Sequence, residues 1–184
     1  MRLFKLLLIL FTISVLSIEA KDIKLTKTSN QFIITEKSLS EFTFVSHISE
    51  INTLKVKKDG NDFVRLIVDG YGDNAKSGDA ELPVLEELIS VPFGSSIDVK
   101  VLKTEHQIIS LSDYGIENLV FPSQPSISKA ENAENVTFYF NEEYYNYDGF
   151  YERDVVKTEL LGRMRGQQLA RLSIAPFQYN PISN

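Results

Sequence analysis

The chain has no cysteine among its 184 residues. Disulfide bonds, thiolate metal sites, thiol redox chemistry and a cysteine nucleophile are therefore excluded for this sequence. Because no covalent cross-link is available, the stability of the fold must come from burial of apolar side chains and from backbone hydrogen bonds.

Histidine and clustered positive charge are also scarce. The two histidines, His47 and His106, each lie in a strand-like run, so we interpret them as ordinary strand residues rather than catalytic bases. The net charge is −6 and the sequence contains no basic cluster. This composition argues against nucleic acid and anionic membrane surfaces as partners.

No constellation of residues predicts an enzyme. The sequence pairs no nucleophile with a base, and the adjacent Glu142 and Glu143 would point to opposite faces of a strand, unlike the paired carboxylates of a glycosidase. We therefore predict no catalytic residue, no cofactor and no resident metal.

Residues 1–20 have the pattern of a secretory signal peptide. A basic start precedes an apolar run at 6–16, and the small residue Ala20 precedes Lys21. The apolar run is too short for a comfortable membrane span, so we predict no stable one. The mature chain is then residues 21–184, a suitable length for one exported domain.

Short runs of β-branched and aromatic residues recur between Gly- and Pro-containing turns, which is typical of an all-β protein. The predicted strands are 31–35, 41–48, 52–57, 62–69, 88–91, 96–103, 107–111, 136–140 and 168–177. Residues 82–89 are ambiguous, since their spacing also suits a helical turn that starts near Pro83. The pattern predicts an antiparallel β-sandwich, jelly-roll-like, with long loops.

Two segments offer candidate ligand sites. Four acidic side chains near a glycine-rich stretch could bind calcium, but their spacing fits no EF-hand loop and a plain turn is favoured: Asp69, Asp73, Asp79 and Glu81. The Tyr-rich segment 138–151 could stack on sugars, face a protein partner or form a covered loop. An alternative function is therefore a secreted surface β-sandwich that binds a glycan or an envelope protein.

Residues 122–132 form a polar loop between two strand-like runs. Pro122 and Pro125 restrict its backbone, and Lys129 places one long cation near its middle. On physical grounds the loop is either a connector or a plug for the pocket of another protein.

Three segments, in order, resemble elements of a known family. They are Gly-Asp-Ala-Glu-Leu-Pro at 78–83, Ser-Ile-Ser-Lys-Ala-Glu-Asn at 126–132, and Arg165-Gly166 followed by Ala-Pro-Phe-Gln-Tyr-Asn-Pro at 175–181. Together they resemble the N-terminal propeptide of gingipain-type cysteine endopeptidases, peptidase family C25, over roughly residues 70–181.

The resemblance implies a β-sandwich propeptide that assists folding and holds a caspase-like catalytic domain latent. It also implies that a basic loop residue enters the specificity pocket of that domain. The matching position is Lys129, flanked by Ile127, Ser128, Ala130 and Glu131. The expected route is export to the periplasm, followed by secretion or attachment to the outer-membrane surface.

The family continues beyond its Tyr-Asn-Pro element into another strand and a catalytic domain. This chain stops three residues after Pro181. We therefore expect a propeptide domain truncated at its C-terminus and lacking the catalytic domain, so not an enzyme by itself. Its C25-type partner would act in cis if the chain is a fragment, or in trans if the chain is a stand-alone inhibitor.

Overall fold

A computed structural model describes residues 20–26, 31–38, 40–73, 75–128 and 136–184, and the structural statements below refer to these residues. They form nine strands, one turn of 3₁₀ helix at Leu111–Tyr114 and one turn of α-helix. The elements are β1 (Ala20–Lys24), β2 (Gln31–Lys37), β3 (Phe42–His47), β4 (Glu50–Lys58), β5 (Asn61–Ile67), β6 (Gly72–Asp73), β7 (Pro83–Val91), α1 (Glu142–Tyr145), β8 (Val156–Met164) and β9 (Gln167–Ile174).

The strands pair into three sheets, with the orders β1-β4-β5, β2-β3 and β6-β7-β9-β8. Every strand pair is antiparallel. Two hairpins close through two-residue turns in which both residues have positive φ, namely Asp59 with Gly60 and Arg165 with Gly166. Such turns match the twist of the paired strands. The prediction of an antiparallel all-β fold is confirmed.

Several individual strand predictions are wrong. Residues 96–103, 107–111 and 136–140 form no strand, and His106 lies in irregular backbone rather than in a ladder. Side chains at 101–108 are all exposed, so this stretch has no buried face of the kind that a half-buried strand requires.

The ambiguous segment at 82–89 is strand β7, not a helical turn. Pro83 opens this strand opposite Asp73, at a position where a strand tolerates proline. The sequence patterns missed β1 and β8. In β8 the register shifts between Leu160 and Gly162, so the bulge interrupts the two-residue period that would reveal the strand.

Two apolar clusters stabilise the sheets. The larger one joins β1, β4 and β5 to buried residues from the loop regions and the C-terminal segment. The smaller one joins Leu85, Leu172 and Ile174 of the four-stranded sheet to phenylalanines of the β2-β3 hairpin. Ile23, which is fully buried, pairs with Ile51 only a few residues after the predicted signal peptide.

The predicted signal peptide lies outside the described residues, except for Ala20, which begins β1. Within the described ranges, no helix has the length and apolar character required to cross a bilayer.

Leu172 and Leu88 provide a matched test of the smaller cluster. Leu172 is 1% exposed in β9, whereas Leu88 is 67% exposed in β7. We expect Leu172→Ala to lower the free energy of unfolding by about 2–5 kcal/mol, because it removes buried methyl groups and leaves a cavity. Leu88→Ala should change it by less than about 0.5 kcal/mol. Urea unfolding of both variants checks this, and equal losses would contradict the assignment of Leu172 to the core.

Candidate functional site

The structure describes the two ends of the predicted inhibitory loop rather than its tip. Ile127 and Ser128 are exposed on the entering side. Lys129, Ala130 and Glu131 lie outside the described residues. The site is therefore built from the base of the loop, which we call the loop root and define as Gly78, Asp79, Ser123, Gln124, Tyr139 and Asn141.

The segment that enters the loop is fixed on both sides. Val64 and Val120 form a parallel bridge, in which the Phe121 N–H donates to the carbonyl of Val64 at 2.7 Å. On the other side, the Glu81 N–H donates to the carbonyl of Phe121 at 2.9 Å. Pro122 follows, fully buried, and bridges to Ala80. Proline suits this position because its missing N–H leaves no buried donor unpaired.

Gly78 and Asp79 connect the two limbs of the loop. On the entering side, the Ser123 N–H donates to Asp79 O and the Gly78 N–H donates to Ser123 O, both at 2.8 Å. On the leaving side, the Asn141 N–H donates to Gly78 O at 3.0 Å, and its Nδ2 donates to Asp79 Oδ1 at 2.6 Å. Two residues thus hold both ends of the loop in one backbone arrangement.

Gln124 closes the loop directly with its side chain. Its Oε1 accepts from the Tyr139 N–H at 3.0 Å, and its Nε2 donates to the Tyr139 carbonyl at 2.9 Å. A primary amide carries one acceptor and two donors, so it can pair with a peptide group as a neighbouring strand would. The same Nε2 donates to Pro122 O at 2.9 Å, which fixes the side chain against its own limb.

Aromatic side chains pack against both limbs of the loop at the root. Phe63 of β5 contacts Phe121 of the entering limb and Phe138 of the leaving limb, with ring centroids 5.7 and 5.8 Å apart respectively. Phe140 stacks on Tyr145 at 4.4 Å. The two limbs therefore share apolar contacts as well as hydrogen bonds.

The tyrosines of the 138–151 segment divide into structural and exposed residues. Tyr144 and Tyr145 belong to α1 and are buried, whereas Tyr139 and Tyr147 are exposed. Burial raises the pKa of Tyr144 to about 12 and raises that of Tyr145 further still. The Tyr145 hydroxyl stays protonated in consequence, and it donates to Val120 O at 2.6 Å, directly beneath the entering limb.

A partly buried ion pair supports the same limb. Arg65 of β5 lies 3.2 Å from the carboxylate of Glu81, and its guanidinium lies 4.4 Å from the centroid of the Phe121 ring. Burial raises the pKa of Glu81, and the negative charge of Asp73 adds to the rise, while Arg65 opposes it. Glu81 lies three residues after Gly78, so the protonation state of its carboxyl group bears on the loop root.

Two of the four candidate calcium ligands have other partners. Asp79 accepts from Asn141, and Glu81 pairs with Arg65. Within the described ranges, no three His, Asp or Glu side chains are grouped so as to hold a metal. Asp79 connects the two limbs at the loop root, and Glu81 lies in the adjoining ion pair.

Sequence reasoning missed Gln124 and Asn141, whose partners lie 15 and 62 residues away in the chain. Gly78 could be noticed within the Gly-Asp-Ala-Glu-Leu-Pro element, but its role could not be derived from that element. Its φ is +92°, and an added Cβ would lie 3.1 Å from the backbone nitrogen of Asn141.

Gly78 and Gly60 provide a matched pair for testing the root. Both have positive φ, but a Cβ at Gly60 would meet nothing within 4 Å. Gly60→Ala should cost about 1–2 kcal/mol of unfolding free energy from backbone strain alone. Gly78→Ala should cost about 1–3 kcal/mol more, because the methyl group also crowds Asn141. Urea unfolding measures the difference, and equal costs would show that the root tolerates the methyl group.

Glu81→Gln tests the ion pair through pH. The folded-state pKa of Glu81 lies above its unfolded value, so the folded state binds the proton more readily. That contribution to stability is fully present below the unfolded pKa and is lost as the pH rises through the folded pKa. Wild type should therefore gain stability relative to Glu81→Gln as the pH falls from 7 towards 4. Unfolding curves at a series of pH values check this, and a constant difference would contradict it.

Known proteins resemble this chain over almost its whole length. Residues 22–184 match the Propeptide_C25 family. Lys-gingipain from Porphyromonas gingivalis is 33% identical over 182 residues, which are 97% of this chain and 10% of that protein. Gingipain R2 from the same species is 26% identical over 151 residues, covering 80% of this chain and 19% of the relative. The chain thus spans about a tenth of the length of the Lys-gingipain that it matches.

Two solved structures share the fold. One is a structure that concerns the zymogenic latency of gingipain K from Porphyromonas gingivalis. It superposes on this chain with a TM-score of 0.85 at 32% identity, and the match covers 90% of this chain and 91% of that one. The other, a complex of the pro- and mature domains of RgpB from Porphyromonas gingivalis, gives a TM-score of 0.58 at 20% identity, covering 72% and 65%. The chain belongs to the family of C25 peptidase propeptides and is a gingipain-type propeptide domain, not the catalytic domain of such a peptidase.

Proposed function

We propose that this chain assists the folding of a C25-type caspase-like cysteine peptidase domain and keeps it latent by placing Lys129 in its specificity pocket. The observation that supports this most is the loop root, which clamps both limbs of the Lys129 loop to Gly78 and Asp79. Membership of the propeptide family and the likeness to the gingipain K structure on zymogenic latency support the same role.

The root gives the loop the properties of a plug. Gln124 pairs with Tyr139, so the ends of the loop are held together before any partner arrives. Closing the loop in advance removes part of the entropy that binding would otherwise cost. Lys129 lies five residues beyond Gln124, and a chain of that length extends at most about 17 Å. That length is the greatest distance from the root at which the backbone of Lys129 could meet a pocket.

The charge of Lys129 sets the kind of pocket that it fits. The relative at 33% identity is named Lys-gingipain, and we take that name to indicate a specificity for lysine. A pocket that accepts lysine requires a buried acceptor for the ammonium group. A carboxylate in that pocket would be left unpaired if the lysine were removed, which is costly in a desolvated site. This chain would act on the cognate peptidase domain in cis if both belong to one longer precursor, or in trans as a separate inhibitor.

Export completes the proposal. Residues 1–20 act as a signal peptide, and residues 21–184 form the propeptide domain. The family membership and the basic-apolar-small pattern of the first twenty residues support this division. The domain reaches the periplasm with its peptidase, which is then released or held at the outer-membrane surface.

Inhibition in trans tests the role of Lys129. Wild-type chain should inhibit a C25 peptidase of lysine specificity, and Lys129→Ala should raise the inhibition constant by about 30-fold or more, as expected for loss of an interfacial hot spot. Lys129→Arg should retain most of the inhibition because it keeps the charge. Lys157→Ala, at a 73% exposed lysine of β8, is the control and should match wild type. Equal inhibition by Lys129→Ala and wild type would show that the loop is not the plug.

A further inference from the structure

One aromatic side chain at the loop root has no ring partner. Among the aromatic residues of 138–151, only Tyr139 and Phe150 lack a described contact with another ring, whereas Phe138 and Phe140 contact Phe63. The two neighbours of Tyr139 in the chain thus pack on β5, whereas the side chain of Tyr139 is 47% exposed.

The backbone of Tyr139 is held in place before any partner binds. Gln124 bonds both its N–H and its carbonyl, and the next residue, Phe140, stacks on the buried Tyr145. A tyrosine on a fixed backbone offers a large apolar area with few bonds left to order. These are the features of binding hot spots, in which tyrosine is enriched.

The position of Tyr139 identifies its partner. It lies at the root of the loop that carries Lys129, so a protein that receives the lysine must approach this side of the domain. Ile127, two residues before Lys129 in the sequence and on the opposite limb of the loop, is 49% exposed and offers further apolar area. Tyr139 and Ile127 thus flank, along the chain, the segment that carries the proposed plug.

We propose that Tyr139 is an anchor that contacts an apolar surface of the C25-type peptidase domain outside the specificity pocket, so that binding depends on two contacts. This inference rests on the proposed function, because it takes the peptidase domain as the partner. The lysine supplies charge recognition inside the pocket, and the tyrosine supplies apolar contact at its rim.

The affinity of the purified chain for the peptidase domain of Lys-gingipain, inactivated at its catalytic cysteine, tests the anchor. We expect Tyr139→Ser to weaken binding by about 30-fold both in wild type and in the Lys129→Ala background. Tyr139→Phe should stay within about threefold, because it keeps the ring. Both variants retain the backbone groups that Gln124 binds, so unfolding midpoints should match wild type.

Phe93→Ser is the control. Phe93 is 68% exposed and lies beyond the far end of β7, about 30 Å along that strand from the root, so its loss should leave the affinity unchanged. An effect equal to that of Tyr139→Ser would show a general response to lost surface aromatics and would overturn the inference.

The outcomes separate the anchor from the plug. If Tyr139→Ser binds as wild type while Lys129→Ala loses affinity, the anchor is wrong and the plug stands. If Lys129→Ala binds and inhibits as wild type while Tyr139→Ser loses affinity, the plug is wrong and the anchor stands. If the free chain sediments as a dimer that Tyr139→Ser dissociates, the ring faces a second copy and the anchor is wrong.

Discussion

The candidate site depends on the hydrogen bonds of two residues, Gly78 and Asp79. One side of this dipeptide bonds Ser123, and the other bonds Asn141, so a single short segment sets the distance between the ends of the loop. A backbone hydrogen bond contributes only about 1 kcal/mol net, but a buried group left unpaired costs about 1–3 kcal/mol. Gly78 and Ser123 are both buried, so a shift of either limb would leave unpaired groups and is strongly resisted.

The C-terminal Ala-Pro-Phe-Gln-Tyr-Asn-Pro element explains how the rest of the domain supports this segment. Tyr179 accepts the N–H of Val120 at 3.3 Å and donates to Asn184 at 2.8 Å, while Tyr145 binds the carbonyl of Val120. Burial raises the pKa of Tyr179 to about 12, so its hydroxyl remains a donor throughout the neutral range. Two tyrosines from distant parts of the chain thus satisfy both polar groups of one buried residue just before the loop. The element that marks the family is a structural support of the loop.

The sequence predicts the fold class well and the site only in outline. Strands bounded by glycine turns are recognisable because turn chemistry is local, as at Asp59 and Gly60. Residues 96–103 and 107–111 have strand-like composition but form no ladder, since pairing depends on a partner strand that no local pattern encodes. Physical reasoning singles out Lys129 as the cation of a connector or plug, and only the family resemblance assigns it the plug role. The contacts of Gln124 and Asn141 join residues 15 and 62 apart, and no spacing rule anticipates them.

The fixed loop root also offers a reason why a loop that resembles a substrate would be cleaved slowly. Cleavage of an ordinary substrate is driven forward because the two new ends diffuse apart. Here the limbs remain bonded to Gly78 and Asp79 on either side, so a cut between them would leave both ends at high effective concentration. Under the proposed function, the re-formation of the bond would compete with departure of the products. The same hydrogen bonds that order the loop for binding would then also slow its loss, which is what latency requires of a propeptide.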